Sequence, residues 1–172
     1  MKIIAIAGYS GSGKTTLIER VIPCLVGEGY TVSLIKHAHH EFDIDRPGKD
    51  SHRHRLAGAN EVLITSSNRW ALMHELRGAA EPSLQEQLKH LSPCDVVIVE
   101  GWKHEAIPKI EVHRRLADKP LLFTEDKAVV AVATDESLAT PLPQFALDDA
   151  EGVAQFIVRY LGLRKAAMQV VK

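Results

Sequence analysis

No apolar run in this sequence approaches the roughly 20 residues that a membrane-spanning helix needs. The N-terminal apolar stretch, Ile3 to Ala7, has only a strand's length, and it runs into Gly8 rather than into the h-region and cleavage site of a signal peptide. A cytoplasmic protein without a membrane segment is therefore expected. Cysteine is scarce as well: Cys24 and Cys94 lie far apart in apolar surroundings and form neither a C-x-x-C pair nor a disulfide framework. Both are expected to be buried as small hydrophobes. An excess of one charge sign is also missing. The formal net charge of -1 gives no global attraction to nucleic acid, so any anion must be bound by a local site. Internal repeats, low-complexity tracts and linkers are absent, and the length suits one substantial core, so residues 1–172 are expected to form a single domain.

What is present is a globular composition in which short β-rich runs alternate with helical patterns, the mark of βαβ units around a mainly parallel sheet. Strands are expected at Lys2 to Ala7, Thr31 to Ile35, Asp95 to Val99, Ile107 to Val112 and Val129 to Ala133. Glu61 to Thr65 and Trp70 to His74 read as an antiparallel hairpin turning at Ser67-Asn68. Thr15 to Gly27 reads as a helix, with Leu17, Ile18, Val21, Ile22, Leu25 and Val26 on one stripe and Pro23 as a possible kink. A short helix is expected at Asp50 to Leu56. Ser83 with Glu86 forms a capping box for a helix through Leu91, and Asp148 with Glu151 does the same for a final helix through Leu161. The expected class is an α/β, three-layer P-loop NTPase domain with a mainly parallel sheet and an added antiparallel hairpin.

The strongest chemical signal is Gly8-Tyr-Ser-Gly-Ser-Gly-Lys-Thr15, which fits G-x-x-x-x-G-K-[ST] between an expected strand and an expected helix. Glycines at 8, 11 and 13 let backbone N–H groups converge on phosphate oxygens, and the helix that follows adds its partial positive charge. Gly8, Ser10, Gly11, Ser12, Gly13, Lys14, Thr15 and Thr16 are thus the expected phosphate cradle. Lys14 is directed to the β and γ phosphates, and the Thr15 hydroxyl to Mg²⁺.

A phosphate cradle of this kind needs a carboxylate for the metal. Glu100, after the unbroken run Val96-Val97-Ile98-Val99, stands where an aspartate is usual; it either ligates Mg²⁺ with Thr15 or marks the strand's exit into solvent. Asp45 is a second candidate and would position the attacking water. From Lys36 to Arg55, five Lys/Arg and five His face four acidic residues, so this is the most cationic stretch of the chain. It either binds an anionic second ligand through Lys36, His37, Lys49 and Arg53 or is a solvated charged loop. His37, His39 and His40 also have the spacing of a transition-metal site, although no cysteine pair completes one. No complete N-K-x-D motif is present. Thr134-Asp135, after an expected strand, is the substitute for guanine reading, because an Asp accepts hydrogen bonds from the N1 and N2 donors.

With these residues in view, the chain resembles the MobB family, GTP-binding proteins of molybdopterin guanine dinucleotide biosynthesis, from end to end. The resemblance rests on Gly8 to Thr16, on Leu34 to Ser51 with its histidines and Asp45-x-x-Gly48, on Arg69 to Met73, and on Val99-Glu-Gly-Trp-Lys-His-Glu105. It implies a weak GTPase that uses GTP and Mg²⁺, handles molybdopterin, forms a homodimer and assists the guanylyltransferase MobA. Two other readings stand beside it. A small-molecule kinase shares the glycine loop but needs an arginine-bearing lid, for which only Arg114-Arg115 offers a hint. A nickel-delivery GTPase would need the histidines to hold metal.

Overall fold

The computed structural model describes residues 1–38, 42–117 and 119–164. In chain order the elements are β1 (Lys2–Ala7), α1 (Lys14–Gly27), β2 (Val32–Lys36), α2 (Asp50–Leu56), β3 (Glu61–Thr65), β4 (Trp70–His74), α3 (Leu84–Leu88), β5 (Val96–Glu100), β6 (Lys109–His113), β7 (Val129–Thr134), β8 (Gln144–Ala146) and α4 (Ala150–Leu161). They fall into two compact units, one of Met1–His37 with the chain from Leu91 onward, the other of Ala38–His90.

The first unit is built on a six-stranded sheet in the order β2-β5-β1-β6-β7-β8. Every pairing in it is parallel. β1 and β5 lie inside this sheet, which is why their sequences are uninterrupted apolar runs: Ile4 to Ala7 and Val96 to Val99 are fully buried. Helices α1 and α4 pack on one another. Their apolar faces, Leu17, Ile18, Val21 and Leu25 from α1 with Val153, Ala154 and Ile157 from α4, join Ile4, Ile6, Val96, Ile98, Ile110 and Val112 in one core. The mainly parallel α/β architecture and the separate antiparallel pair are as expected from the pattern.

Local details differ from the sequence-based expectations. Val26 is 54% exposed and Ile22 only partly buried, so the α1 stripe is narrower than its apolar spacing suggests. α1 runs unbroken across Pro23. Both cysteines are half-buried rather than buried; the Cys24 thiol donates to the Arg20 carbonyl one turn back at 3.3 Å. α4 is capped by Asp149, which accepts the Gly152 N–H at 2.9 Å, and not by Asp148. α3 stops at Leu88, although its capping box of Ser83 and Glu86 forms as expected. β8 has no counterpart among the expected strands, because three residues after Pro141 and Pro143 carry no readable period.

In the second unit β3 and β4 pair from Glu61↔His74 to Thr65↔Trp70, the hairpin expected from the alternation. Its turn is closed by Ser66, whose hydroxyl accepts the N–H groups of Asn68 and Arg69 at 3.3 Å. Arg55, at the end of α2, gathers three carboxylates: Asp43 at 2.7 Å, Glu75 at 2.7 Å and Asp45 at 3.3 Å. Those partners raise the guanidinium pKa, led by the Glu75 hydrogen bond, and the hydrogen bond from Arg55 in turn holds the Asp43 carboxyl below its ordinary value.

Candidate functional site

The chain leaves the carboxyl end of β1 through a loop that only glycine permits. Gly8 (φ 151°), Gly11 (φ 79°) and Gly13 (φ 100°) all have positive φ. At Gly8 there is also a steric demand: a Cβ there would run into the Val112 carbonyl oxygen of β6 and lie 2.8 Å from Ser12 Oγ. Gly13 is the residue preceding α1, so the loop delivers its N–H groups to the start of a 14-residue helix. Ser12 Oγ is buried and has no hydrogen-bond partner among the described residues. An orphaned hydroxyl inside a turn of N–H groups fits a bound anion, which would satisfy it.

The side chains that point into this turn form a chain of charge. Lys14 Nζ donates to the Tyr9 carbonyl at 2.9 Å. Thr15 Oγ1 donates to Glu100 Oε1 at 2.9 Å, and the other oxygen of Glu100 pairs with Lys36 Nζ at 3.3 Å. Glu100 is the last residue of β5 and only 6% exposed. The strand does not carry it out into solvent. The parallel register Ile6↔Glu100 and Lys36↔Glu100 sets it between the ends of β1 and β2 and beside the glycine loop. Burial lowers the Lys14 pKa; the ammonium groups of Lys103 and Lys36 push the same way and Glu100 opposes them. A turn with surplus positive charge and two hard oxygens 2.9 Å apart can take a polyphosphate and a hard divalent cation.

Beyond Glu100 the backbone stays in the left-handed region for two residues, Gly101 (φ 94°) and Trp102 (φ 51°). A side chain at Gly101 would press on His37 Cβ at 3.2 Å. His37, just past β2, donates its N–H to the Glu100 carbonyl at 3.0 Å, and its ring lies 5.1 Å from that of Trp102.

On the α1 side of the loop a cavity of about 390 Å³ is lined by Gly13, Thr16, Arg114, Thr134, Asp135 and Asp148, among others. Thr134 and Asp135 therefore meet the glycine loop, as the ends of parallel strands should. Asp135 already accepts the Arg115 N–H through Oδ1 at 2.8 Å, which fixes its carboxylate in the turn. Arg114 and Asp148 had no assigned place in the cradle from sequence; their proximity comes from β6 and β8 ending at the same edge.

Asp45, Lys49 and Arg53 belong to the other unit. Asp45 accepts the Ser51 hydroxyl at 2.7 Å and the Arg46 N–H at 3.0 Å besides its contact with Arg55, and these bonds hold its carboxyl below the usual range, the Ser51 bond most of all. Lys49 and Arg53 are exposed on α2 and just before it. His39 and His40 lie outside the described residues; among the described residues no three His, Cys, Asp or Glu side chains group to hold a metal ion.

Comparison with known proteins agrees with this geometry. The sequence model described as "Molybdopterin guanine dinucleotide synthesis protein B", MobB, matches residues 3–135. The chain belongs to the MobB family. It is 41% identical over 162 residues to the molybdopterin-guanine dinucleotide biosynthesis adapter protein of Escherichia coli (strain K12), covering 92% of this chain and 93% of that relative. The protein of the same description from Haemophilus influenzae is 40% identical, with 92% and 89% covered. The crystal structure of molybdopterin-guanine biosynthesis protein B superposes with a TM-score of 0.74 at 30% identity, covering 92% of this chain and 99% of that one. In this MobB-family chain the matched region runs from β1 through Asp135, so it holds both the glycine loop and one wall of the adjoining cavity.

Proposed function

We propose that this protein is a GTP-binding adapter of molybdopterin guanine dinucleotide biosynthesis, a cytoplasmic, weak GTPase that assists the guanylyltransferase MobA. The names of its relatives support the adapter role. The observation that carries the nucleotide reading is the joint arrangement of Lys14, Thr15 and Glu100 within a turn whose glycines at 8, 11 and 13 admit no other residue type without strain. Lys14 neutralises charge on the β and γ phosphates. Thr15 and Glu100 hold Mg²⁺, which when bound supplies Lewis-acid stabilisation to the same oxygens. Ser10, Ser12 and Thr16 complete the cradle. Asp45, the second candidate from the sequence, lies in the other unit with its carboxylate taken up by Ser51, Arg46 and Arg55, so the reading rests on Glu100. Nucleotide competition of GTP against ATP, repeated with molybdopterin present, tests the whole reading: equal affinity for both nucleotides in both conditions would refute it.

We assign the guanine base to the 390 Å³ cavity lined by Thr134 and Asp135, because the Asp135 carboxylate is an acceptor suited to the N1 and N2 donors. Asp135→Asn replaces one acceptor by a donor and should narrow the preference for GTP over ATP about tenfold, the scale of one charge-assisted hydrogen bond. An unaltered ratio in competition binding would move the guanine site elsewhere.

Of the residues expected to meet the phosphate of the anionic second ligand, molybdopterin, Lys36 and His37 lie in the first unit and Lys49 and Arg53 in the second, and the phosphate is assigned to Lys49 and Arg53. Lys49 and Arg53, exposed and without an ion pair among the described residues, support this, whereas Arg55 is already bound to three carboxylates. Lys49→Ala with Arg53→Ala should weaken molybdopterin binding about tenfold and leave GTP binding intact. Stoichiometric nickel in the purified protein, lost on replacing His37, His39 and His40, would instead favour metal delivery. Homodimer formation is supported by the hairpin, which exposes Leu63, Ile64, Trp70 and Leu72 although a two-stranded sheet is unstable unless covered.

A further inference from the structure

Strand β6 lies inside the parallel sheet and yet carries charge, most of it paired. Lys109 and Glu111 are each 1% exposed. Alternation along the strand puts them and His113 on the face opposite Ile110 and Val112, away from the core shared with α1 and α4. Burying a charge is costly unless it is paired, and each of these groups has its partner. Lys109 Nζ donates to the Glu105 carbonyl and forms an ion pair with Asp126 at 2.8 Å. Glu111 accepts the N–H groups of Leu122 at 2.8 Å and Phe123 at 3.0 Å. These two side chains thereby clamp the segments that edge a cavity of about 580 Å³. His113 Nε2 meets Glu136 Oε1 at 3.2 Å.

Arg114, the next residue, is the exception. It falls on the other side of the alternation, with Ile110 and Val112, and so toward α1. Its Nη2 lies 3.5 Å from where a Cβ on Gly13 would stand, which sets the guanidinium against the backbone that opens α1. The side chain is half-buried and has no hydrogen bond or ion pair among the described residues. Asp135 and Asp148 line the same cavity, but neither is its partner, and Asp135 is engaged by the Arg115 N–H. The Arg115 side chain, by contrast, is 79% exposed and reaches Glu136 at 3.9 Å. A half-buried guanidinium without a counter-charge is unfavourable. Beside a turn of N–H groups a phosphate would supply that charge, and the guanidinium fork matches two phosphate oxygens at once.

The order of the strands selects the phosphate. Glu100 ends β5 on one flank of β1, where it meets Thr15, whereas Arg114, Thr134 and Asp135 follow β6 and β7 on the other flank. A nucleotide laid from its metal-bound phosphates to its base crosses the glycine loop from the β5 flank to the β6 flank. The phosphate it presents at Arg114 is then the one attached to the ribose. We infer that Arg114 binds the α-phosphate of the nucleotide, as a second side-chain cation of the site on the flank opposite Glu100. The inference rests on the nucleotide reading above and adds a residue which that reading leaves without a role. Arg114 thus holds nucleoside diphosphate and triphosphate alike and takes no part in transfer of the terminal phosphate, the task of a lid arginine.

The test joins calorimetric titration of the full chain with GDP and with GTP, each in the presence of Mg²⁺, to phosphorus NMR of bound GDP. Arg114→Gln should weaken both nucleotides about tenfold, the loss of one charge-assisted contact. It should also move the α resonance of bound GDP and leave the β resonance near its wild-type position. Arg115→Ala, which keeps the N–H on Asp135 and removes only an exposed side chain, should leave affinities and spectrum unchanged. Arg114→Met preserves the packing of the aliphatic stem and repeats the comparison should the Gln variant fold poorly. Wild-type GDP affinity in a folded variant at this position, a loss confined to GTP, an equal loss in Arg115→Ala, or a moved β resonance with the α resonance in place would overturn the inference alone. Failure of the wild-type protein to bind GDP would instead bring down the nucleotide reading, and the inference with it.

Discussion

Lys14→Ala is expected to lower GTP affinity by about 100-fold or more, the equivalent of roughly 3 kcal/mol and the upper range for a hydrogen bond to a charged group. The size follows from position. Lys14 is the one side-chain cation rooted in the loop itself, and in its present state it is parked on the Tyr9 carbonyl at 2.9 Å, a neutral acceptor that phosphate oxygens outcompete. The same residue predicts a pH dependence. Its pKa is lowered by burial and by Lys103 and Lys36, so as pH rises Lys14 loses its proton before an ordinary lysine would. Bound phosphate favours the charged form, so GTP affinity should fall as pH climbs toward and through that lowered pKa, and Lys14→Ala should erase this arm of the profile. Calorimetric titration measures both effects. Wild-type affinity in a folded Lys14→Ala protein would end the assignment of the loop to phosphate.

Glu100→Gln and Thr15→Ala carry the second large expectation, which concerns the metal rather than the nucleotide. Glu100 links Thr15 on one oxygen to Lys36 on the other while only 6% exposed, so the Gln variant keeps shape and packing but loses the charge that a hard cation requires. Each substitution should raise the magnesium concentration for half-maximal GTP binding about tenfold or more, with affinity for metal-free nucleotide little changed. For Glu100→Gln the metal-free affinity should if anything improve, because one negative charge leaves the crevice. Magnesium titrations that overlay the wild type for both variants would show that the metal is held elsewhere.

Much of this site was legible in one dimension. Gly8 to Thr15 spells a turn that needs positive φ at fixed positions, and Val96 to Val99 cannot be anything but an interior strand, so Glu100 had to emerge at a strand's end. The hairpin of β3 and β4 was equally plain, because alternation over five residues on each side leaves one register that keeps like faces together. The cap of α4 was less so: Asp148 and Asp149 are neighbours of the same type, and only the path of the chain leaving β8 chose the second.

What the sequence by itself determined, then, is the glycine loop, the parallel architecture and the kinds of group available, because backbone sterics and hydrophobic period act over a few residues at a time. What only the tertiary structure decided is which distant groups meet. The order β2-β5-β1-β6 brings Glu100 between Lys36 and Thr15, across separations of 64 and 85 positions, and turns an apparent strand exit into a buried carboxylate. The same sheet sets Asp135 and Asp148 beside Gly13, and it converts Lys109 and Glu111, unremarkable alternating polar residues in a list of letters, into buried clamps of a second cavity. Strand order is fixed by how whole faces bury against α1 and α4, a sum over the entire core that no local window of sequence contains.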